Sequence, residues 1–402
     1  MNVKIHKGTP KGRVNAPSSK SMAHRMLISA AMANGTSVIS GVSDCEDVKA
    51  TIGCLESLGA TIKKDGDTLT VTGVDMRRVS ALAPLNCNES GSTLRFFIPI
   101  ALLSGKNTLF LGEKGLMKRP MTVYEDMCKV KGLIYNADGD SIAVRGPLTA
   151  GEYEVVGNIS SQFISGLLFA LPVLDGNSRI KIIPPIESRS YIELTIEALS
   201  LFGIDVKWLD DNTLYVRGNQ QYVPKNLTVE GDYSGAAFID ALGVFGNDVA
   251  VDGLRPDSTQ GDKVYKLLFD MLKRGVPTIH IANCPDLGPI LFAVAAAKHG
   301  GVFTGTKRLK IKESDRASAM AEELAKFGTS VTVYDDKTVV YPVSFHAPVA
   351  PLSGHNDHRI VMALSILLTL TGGTIKGAEA VKKSYPDFFD DLSSLGVKIE
   401  KI

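Results

Sequence analysis

The sequence is short of the features that mark special classes of chain. Cysteine is scarce: Cys45, Cys54, Cys87, Cys128 and Cys284 are odd in number and lack CxxC spacing. That speaks against a secreted disulfide framework and reads the thiols as small buried apolar residues. No apolar signal segment precedes them, so a reducing cytoplasm is expected. Charge of one sign is also missing. Lys and Arg total 44 against 43 Asp and Glu, a net +1, so nothing global recommends nucleic acid or an anionic membrane, and any anion specificity must be local. The longest apolar run, residues 360–371, is well short of the ~20 that span a bilayer, and no low-complexity tract interrupts the chain. What remains is ordinary globular composition, 44% apolar and 22% charged over 402 residues. That is enough for two or three domains of roughly 150 residues.

The chain repeats itself. One series is a polar opening, an apolar helical stretch and a closing Gly, as in SKSMAHRMLISAAMANG, SGSTLRFFIPIALLSG and NDHRIVMALSILLTLTG; its glycines are Gly35, Gly105, Gly176, Gly246, Gly300 and Gly372. Stretches apolar on nearly every side read as core helices. The second series is an amphipathic helix, a Gly suited to the αL position that ends it, and two short strands around a turn, as in ESLGATIKKDGDTLTVTG. Its glycines are Gly59, Gly132, Gly203, Gly275, Gly328 and Gly396. The first series steps by 70, 71, 70, 54 and 72 residues and the second by 73, 71, 72, 53 and 68. Both shorten at the same interval, so six copies of one α/β unit are expected. Two domains of three units fit better than one solenoid. The polar, Pro-containing stretch 219–230 is the seam, and the first strand, residues 3–5, could pair with either domain.

Reactive side chains collect where helices begin. Ser19, Lys20, Ser21, His24 and Arg25; Gly91, Ser92, Thr93 and Arg95; Lys118 and Arg119; Ser160, Ser161 and Gln162; Ser188, Arg189 and Tyr191; Asp286; Lys312, Glu313, Asp315 and Arg316; Asp357, His358 and Arg359; and Lys382 and Lys383 all fall there. A Ser or Asp at such a place is usually just an N-cap, and a Lys pair a solvated face. Cations at helix N-termini oppose the dipole, however, and Lys20, Arg25, Arg95, Lys312, Arg316, Arg359 and Lys383 recur there; a bound anion would explain them. If each domain is quasi-symmetric, these ends face a cleft for a small, multiply anionic substrate. The HNDH segment at 355–358 lacks a recognised ligand motif, so no metal is expected.

Taken in order, PSSKSMAHR (17–25), SGSTLRF (90–96), KRP (118–120), SSQF (160–163), SRSYI (188–192), CPD (284–286), KESDR (312–316), NDHR (356–359) and KKSYPDFF (382–389) resemble the motifs of the 5-enolpyruvylshikimate-3-phosphate synthases, a family of enolpyruvyl transferases. The resemblance implies an α/β fold of two inside-out α/β barrel domains, each of three βαβαββ-like units, with the active site in the interdomain cleft. It divides the chain into residues 1–17 plus 229–402 and residues 18–228. It implies transfer of the carboxyvinyl group of phosphoenolpyruvate to the 5-hydroxyl of shikimate 3-phosphate through a tetrahedral ketal, by a monomer without metal or organic cofactor. Carried over motif by motif, Lys20, Gly91, Arg119, Gln162 and Lys383 hold the phosphate of phosphoenolpyruvate, and Arg316 and Arg359 its carboxylate. Ser21 and Arg25 take the shikimate carboxylate. Ser160, Ser161, Ser188 and Lys312 take the 3-phosphate, with Tyr191, Lys20 and Gln162 beside them. Asp286 is the base for the 5-hydroxyl, and Glu313 the relay to the methylene carbon, with Lys20 and Lys383 sharing the proton transfers.

Two positions depart from the family pattern: Glu89 stands beside the phosphate cradle, and Arg308 near the 3-phosphate, where Asn is expected. Two other readings fit the residues less well. A UDP-N-acetylglucosamine enolpyruvyl transferase typically has KN at Lys20-Ser21 and a catalytic Cys in the loop before the RP pair, and LGEKGLMKRP has none. A non-catalytic anion-binding module of the same fold would be expected to have lost Asp286, Glu313 or Lys20.

Overall fold

The structure is a computed structural model and describes residues 1–342 and 345–402. The chain divides into two compact units, Ser18–Glu230 and Met1–Pro17 with Gly231–Ile402. The first strand belongs to the second of these. Asn2–Ile5 pairs antiparallel with Gly373–Lys376 and with Ile399–Lys401.

Among the described residues one pattern recurs five times: a parallel strand pair extended by two antiparallel strands into a four-stranded sheet, the added strands forming a hairpin in four of the five. In Ser18–Glu230 the parallel pairs are Asn226–Thr228 with Thr36–Ser40, Leu85–Asn86 with Asn107–Leu111, and Glu152–Val156 with Ser178–Ile183. Thr61–Asp65 and Thr68–Thr72 form the first hairpin, turning at Gly66, whose φ of 60° suits glycine. Strand Glu152–Val156 alternates exposed and buried residues, with Tyr153 and Val155 turned inward, so its sheet presents one face to the core. Between them run the core helices Lys20–Met32, Gly91–Ala101 and Ser161–Ala170, buried along most of their length. The other unit has matching core helices Tyr233–Val244, Gly288–Ala297 and His358–Thr371. Helices inside and sheets outside are what the all-round apolar stretches require.

The fourth copy is incomplete, which corrects the expectation of six full units. Lys11–Asn15 and Asp248–Asp252 form a two-stranded parallel sheet with no hairpin. Helix Tyr265–Arg274 ends at Gly275, and the chain passes directly to strand Thr278–His280. The missing hairpin accounts for the shortened step in both glycine series. It also removes the αL requirement: Gly275 has φ 167°, extended backbone, whereas Gly59, Gly132, Gly203, Gly328 and Gly396 lie between 66° and 94°.

Close helix packing fixes the helix starts that matter below. A Cβ on Gly166 would lie 2.2 Å from Tyr124 Oη and 2.4 Å from the Arg95 carbonyl. Only glycine lets helices Gly91–Ala101 and Ser161–Ala170 approach this closely. The buried Tyr124 hydroxyl donates to the carbonyls of Arg95 (2.7 Å) and Phe163 (3.0 Å), tying both helices to a third.

Candidate functional site

Polar side chains cluster at the helix starts of each unit. In Ser18–Glu230 the three core helices open on Ser19, Ser90 and Ser160, whose hydroxyls accept the N–H of Met22, Thr93 and Gln162. Ser160 is thus an N-cap first. At the second helix start a Cβ on Gly91 would lie 2.8 Å from Arg119 Nη1, 3.0 Å from Arg95 Nη1 and 3.7 Å from Gln162 Oε1. Arg95 Nη1 donates to Gln162 Oε1 at 2.7 Å, and Gln162 Nε2 to Ser92 Oγ at 2.9 Å. Two guanidiniums and an amide therefore converge on a helix N-terminus kept bare by glycine, a geometry suited to a phosphate. Lys20 Nζ sits 2.6 Å from Asp47 Oδ2.

Arg25 is buried. Its guanidinium donates to Thr195 Oγ1 (2.8 Å) and to the carbonyls of Ser21 (2.7 Å) and Tyr191 (3.1 Å), and lies over the Phe96 ring. Burial pushes its pKa down to about 10. Among the described residues it has no carboxylate partner, so an anion placed here would restore the balance that burial removes. Ser188 heads helix Arg189–Leu201 with φ 57°, and Tyr191 lies in that helix's first turn. Ser161 is the first residue of its own helix and is buried.

The second cluster centres on Arg316, the first residue of helix Arg316–Ala325. Its Nε donates to Asp357 Oδ2 (2.9 Å), Nη1 to Asp286 Oδ1 (2.8 Å), and Nη2 to Glu313 Oε2 (2.7 Å) and Asp357 Oδ1 (3.4 Å). Four of its five donors are thus taken by carboxylates. Asp286 also meets Lys312 Nζ at 3.2 Å and Arg359 Nη2 at 3.0 Å. Burial alone would raise the Asp286 pKa, but Arg359, Lys312 and Arg316 outweigh it and hold the carboxyl well below its usual range. Burial pushes Lys312 down to about 8. Asp262, buried and accepting a hydrogen bond from Ser234, is pushed up to about 6 by burial and by the nearby Asp286 charge. Arg308 is buried, with Nη1 3.5 Å from the Ala282 carbonyl.

These contacts revise two sequence arguments. The cations at Lys20, Arg316 and Arg359 are balanced by the protein's own Asp47, Asp286, Glu313 and Asp357, so a bound anion is not needed to explain them. Lys383 is at no helix start: it closes the 3₁₀ turn Ala378–Lys383, where a cation suits the dipole, and its Nζ donates to the Asn356 carbonyl at 2.5 Å. Sequence reasoning placed Arg95 and Asp357 at helix starts without giving either a partner in the site, and did not single out the counter-charge Asp47. Arg95 had a signal, one helical turn beyond Gly91 on the same face. Asp47 had none. Of possible metal ligands, Glu322, Glu323 and His355 come within 4.8 Å of one another, but both Glu323 oxygens already meet Lys326 Nζ, at 2.8 and 2.9 Å.

The fold recurs in known transferases. Over the whole chain it superposes on an EPSP synthase from Acinetobacter baumannii (TM-score 0.80, 23% identity, 100% of both chains) and on the enolpyruvyl transferase NikO from Streptomyces tendae (TM-score 0.77, 18% identity, 99% and 98%). This defines the fold class, that of the enolpyruvyl transferases. In sequence, the model of the family EPSP synthase (3-phosphoshikimate 1-carboxyvinyltransferase) matches residues 6–392. A 3-phosphoshikimate 1-carboxyvinyltransferase from Clostridium kluyveri is 37% identical, covering 99% of this chain and 98% of its own, and one from Clostridium perfringens is 38% identical, covering 96% of each. The chain belongs to the EPSP synthase family.

Proposed function

We propose that this chain transfers the carboxyvinyl group of phosphoenolpyruvate to the 5-hydroxyl of shikimate 3-phosphate, releasing phosphate, a step toward chorismate and the aromatic amino acids. The observation that carries the reading, beside family membership, is the convergence of Arg95, Arg119 and Gln162 on the bare helix start at Gly91. That geometry suits the phosphate of phosphoenolpyruvate, with Lys20 and Lys383 as further cations. Arg359 is the stronger candidate for its carboxylate, since Arg316 has one donor left. Arg25 and Ser21 take the shikimate carboxylate; Ser161, Ser188 and Lys312, with Ser160, Gln162 and Tyr191, take the 3-phosphate.

In this reading Asp286 removes the 5-hydroxyl proton as the oxygen bonds to C2 of phosphoenolpyruvate. Glu313, with Lys20 or Lys383, delivers a proton to the methylene carbon, giving a tetrahedral ketal. Loss of a methyl proton then expels phosphate as its C–O bond breaks. A carboxylate gripped by three cations is a poor base. A substrate carboxylate that draws Arg359 away loosens that grip, so Asp286 gains basicity only when phosphoenolpyruvate is bound. No step calls for a cofactor. The five free, buried thiols suit a reducing compartment, and we place the enzyme in the cytoplasm as a monomer; no helix among the described residues is long and apolar enough to cross a membrane.

The test is phosphate release from phosphoenolpyruvate with shikimate 3-phosphate or UDP-N-acetylglucosamine as acceptor. Release with the first alone is expected; release with the second alone would assign the chain to the other transferase.

A further inference from the structure

Two consecutive residues, His355 and Asn356, hold φ of 47° and 52° immediately before Asp357. Neither is glycine, and the left-handed region costs an L-residue about 1–2 kcal/mol, less for Asn. Surrounding contacts must hold such a pair in place. The main one is Glu323, fully buried on helix Arg316–Ala325. Its Oε1 lies 3.0 Å from His355 Nε2, and its Oε2 accepts the Ser353 N–H at 2.9 Å. Lys326 Nζ donates to both oxygens of the carboxylate, at 2.8 and 2.9 Å. The His355 N–H donates to Ser353 Oγ, and the Asp357 N–H to the Gly354 carbonyl.

Arg316 and Glu323 are seven residues apart on one helix, two turns along the same face. Arg316 grips Asp357 and Glu323 grips His355, so the helix clamps both ends of the turn. The turn in turn fixes three groups. The Asn356 carbonyl accepts Lys383 Nζ. Asp357 Oδ1 accepts the Arg359 N–H at 2.9 Å and caps helix His358–Thr371. Asp357 Oδ2 also accepts Ser314 Oγ at 3.0 Å.

We propose that the Glu323–His355 pair is a positioning device for phosphoenolpyruvate: it touches no substrate, but holds the 353–357 turn in the conformation that sets Lys383 and Arg359. For its kinetic readout this rests on the function proposed above. His355→Gly relieves the backbone strain and removes the anchor, while His355→Gln keeps a donor toward Glu323, so the pair separates conformational tolerance from anchoring.

The experiment measures KM for each substrate, kcat, Tm, and the rate at which an amine-acylating reagent labels Lys383 in the ligand-free protein, read by peptide mass spectrometry. For His355→Gly we expect KM for phosphoenolpyruvate to rise roughly tenfold, the gain of about one charge-assisted hydrogen bond's worth of disorder, with KM for shikimate 3-phosphate within twofold. Lys383 labelling should be several-fold faster, and His355→Gln should restore both readouts to near the parent values. Unchanged phosphoenolpyruvate KM and unchanged labelling in His355→Gly overturn the proposal. So does an equal rise in both KM values accompanied by a fall in Tm, which would mark a purely structural role. A parent protein inactive on this substrate pair would defeat the functional reading alone; Lys383 labelling would still decide the clamp.

Discussion

Gly91→Ala isolates the phosphate cradle from the fold. The new Cβ would come 2.8 Å from Arg119 Nη1 and 3.0 Å from Arg95 Nη1, with Gln162 Oε1 at 3.7 Å. The first two distances are too short, and both neighbours are the far ends of flexible side chains, so the guanidiniums move and the backbone stays. Gly91 lies outside the left-handed region, so alanine fits the local conformation, and its helix propensity favours the fold by up to about 1 kcal/mol. Displacing one guanidinium from a bound phosphate loses a hydrogen bond to a charged group, about 1.5–3 kcal/mol. That corresponds to a rise of roughly 10- to 150-fold in KM for phosphoenolpyruvate. The assay is steady-state phosphate release at saturating shikimate 3-phosphate, with a thermal melt in parallel. KM should rise with Tm unchanged or higher. An unchanged KM with a lower Tm would mean that Gly91 serves helix packing, and would refute the cradle.

Other outcomes follow from the charge arrangement. Asp286→Asn should lower kcat by roughly 10² or more, the usual scale for losing a general base; near-normal turnover would remove Asp286 from that role. Because the folded-state pKa of Asp286 is depressed, its stabilising contribution is present above the unfolded value of about 3.9 and is lost as pH falls through the folded value. The variant should therefore melt below the parent at pH 7, with the gap closing under acid conditions; a gap independent of pH contradicts the three ion pairs. Lys312, held at about 8 by burial, sheds its charge as pH rises through that value, so KM for shikimate 3-phosphate should climb in alkali, and Lys312→Arg should flatten the climb. A flat profile in the parent would mean that Lys312 does not meet the phosphate. Burial pushes the thiols of Cys45 and Cys128 up to about 11 and about 12; an aromatic disulfide reagent should leave both unlabelled in the native protein and label both after unfolding, and rapid native labelling would contradict their burial.

How much of this could be read from sequence depends on the range of the signal. The repeat was legible because helix-ending glycines and hairpin turns are local: Gly59 and Gly66 announce themselves within a few residues. The shared short step at Gly275 was visible too, but the missing hairpin behind it needed the sheet pairing. The final sheet borrows Asn2–Ile5 from the other end of the chain, which no local pattern reveals. In the site, Gly91, Gln162, Arg316 and Arg359 stand out because each opens a core or flanking helix. Their partners do not. Asp47 meets Lys20 across 27 positions and Asp357 meets Arg316 across 41, and a lone acidic residue in a helix's first turn looks like any favourable dipole charge. Helix starts could be listed from the sequence; which charges neutralise one another depends on tertiary packing.

Every role proposed for the site requires that the chain join phosphoenolpyruvate to shikimate 3-phosphate. Phosphorus NMR of the purified protein with both substrates tests it most directly, by following inorganic phosphate and the new enolpyruvyl ether together. Equal amounts of the two are expected, and neither when shikimate 3-phosphate is omitted. Phosphate released without that acceptor, or no phosphate released with it, would contradict the account.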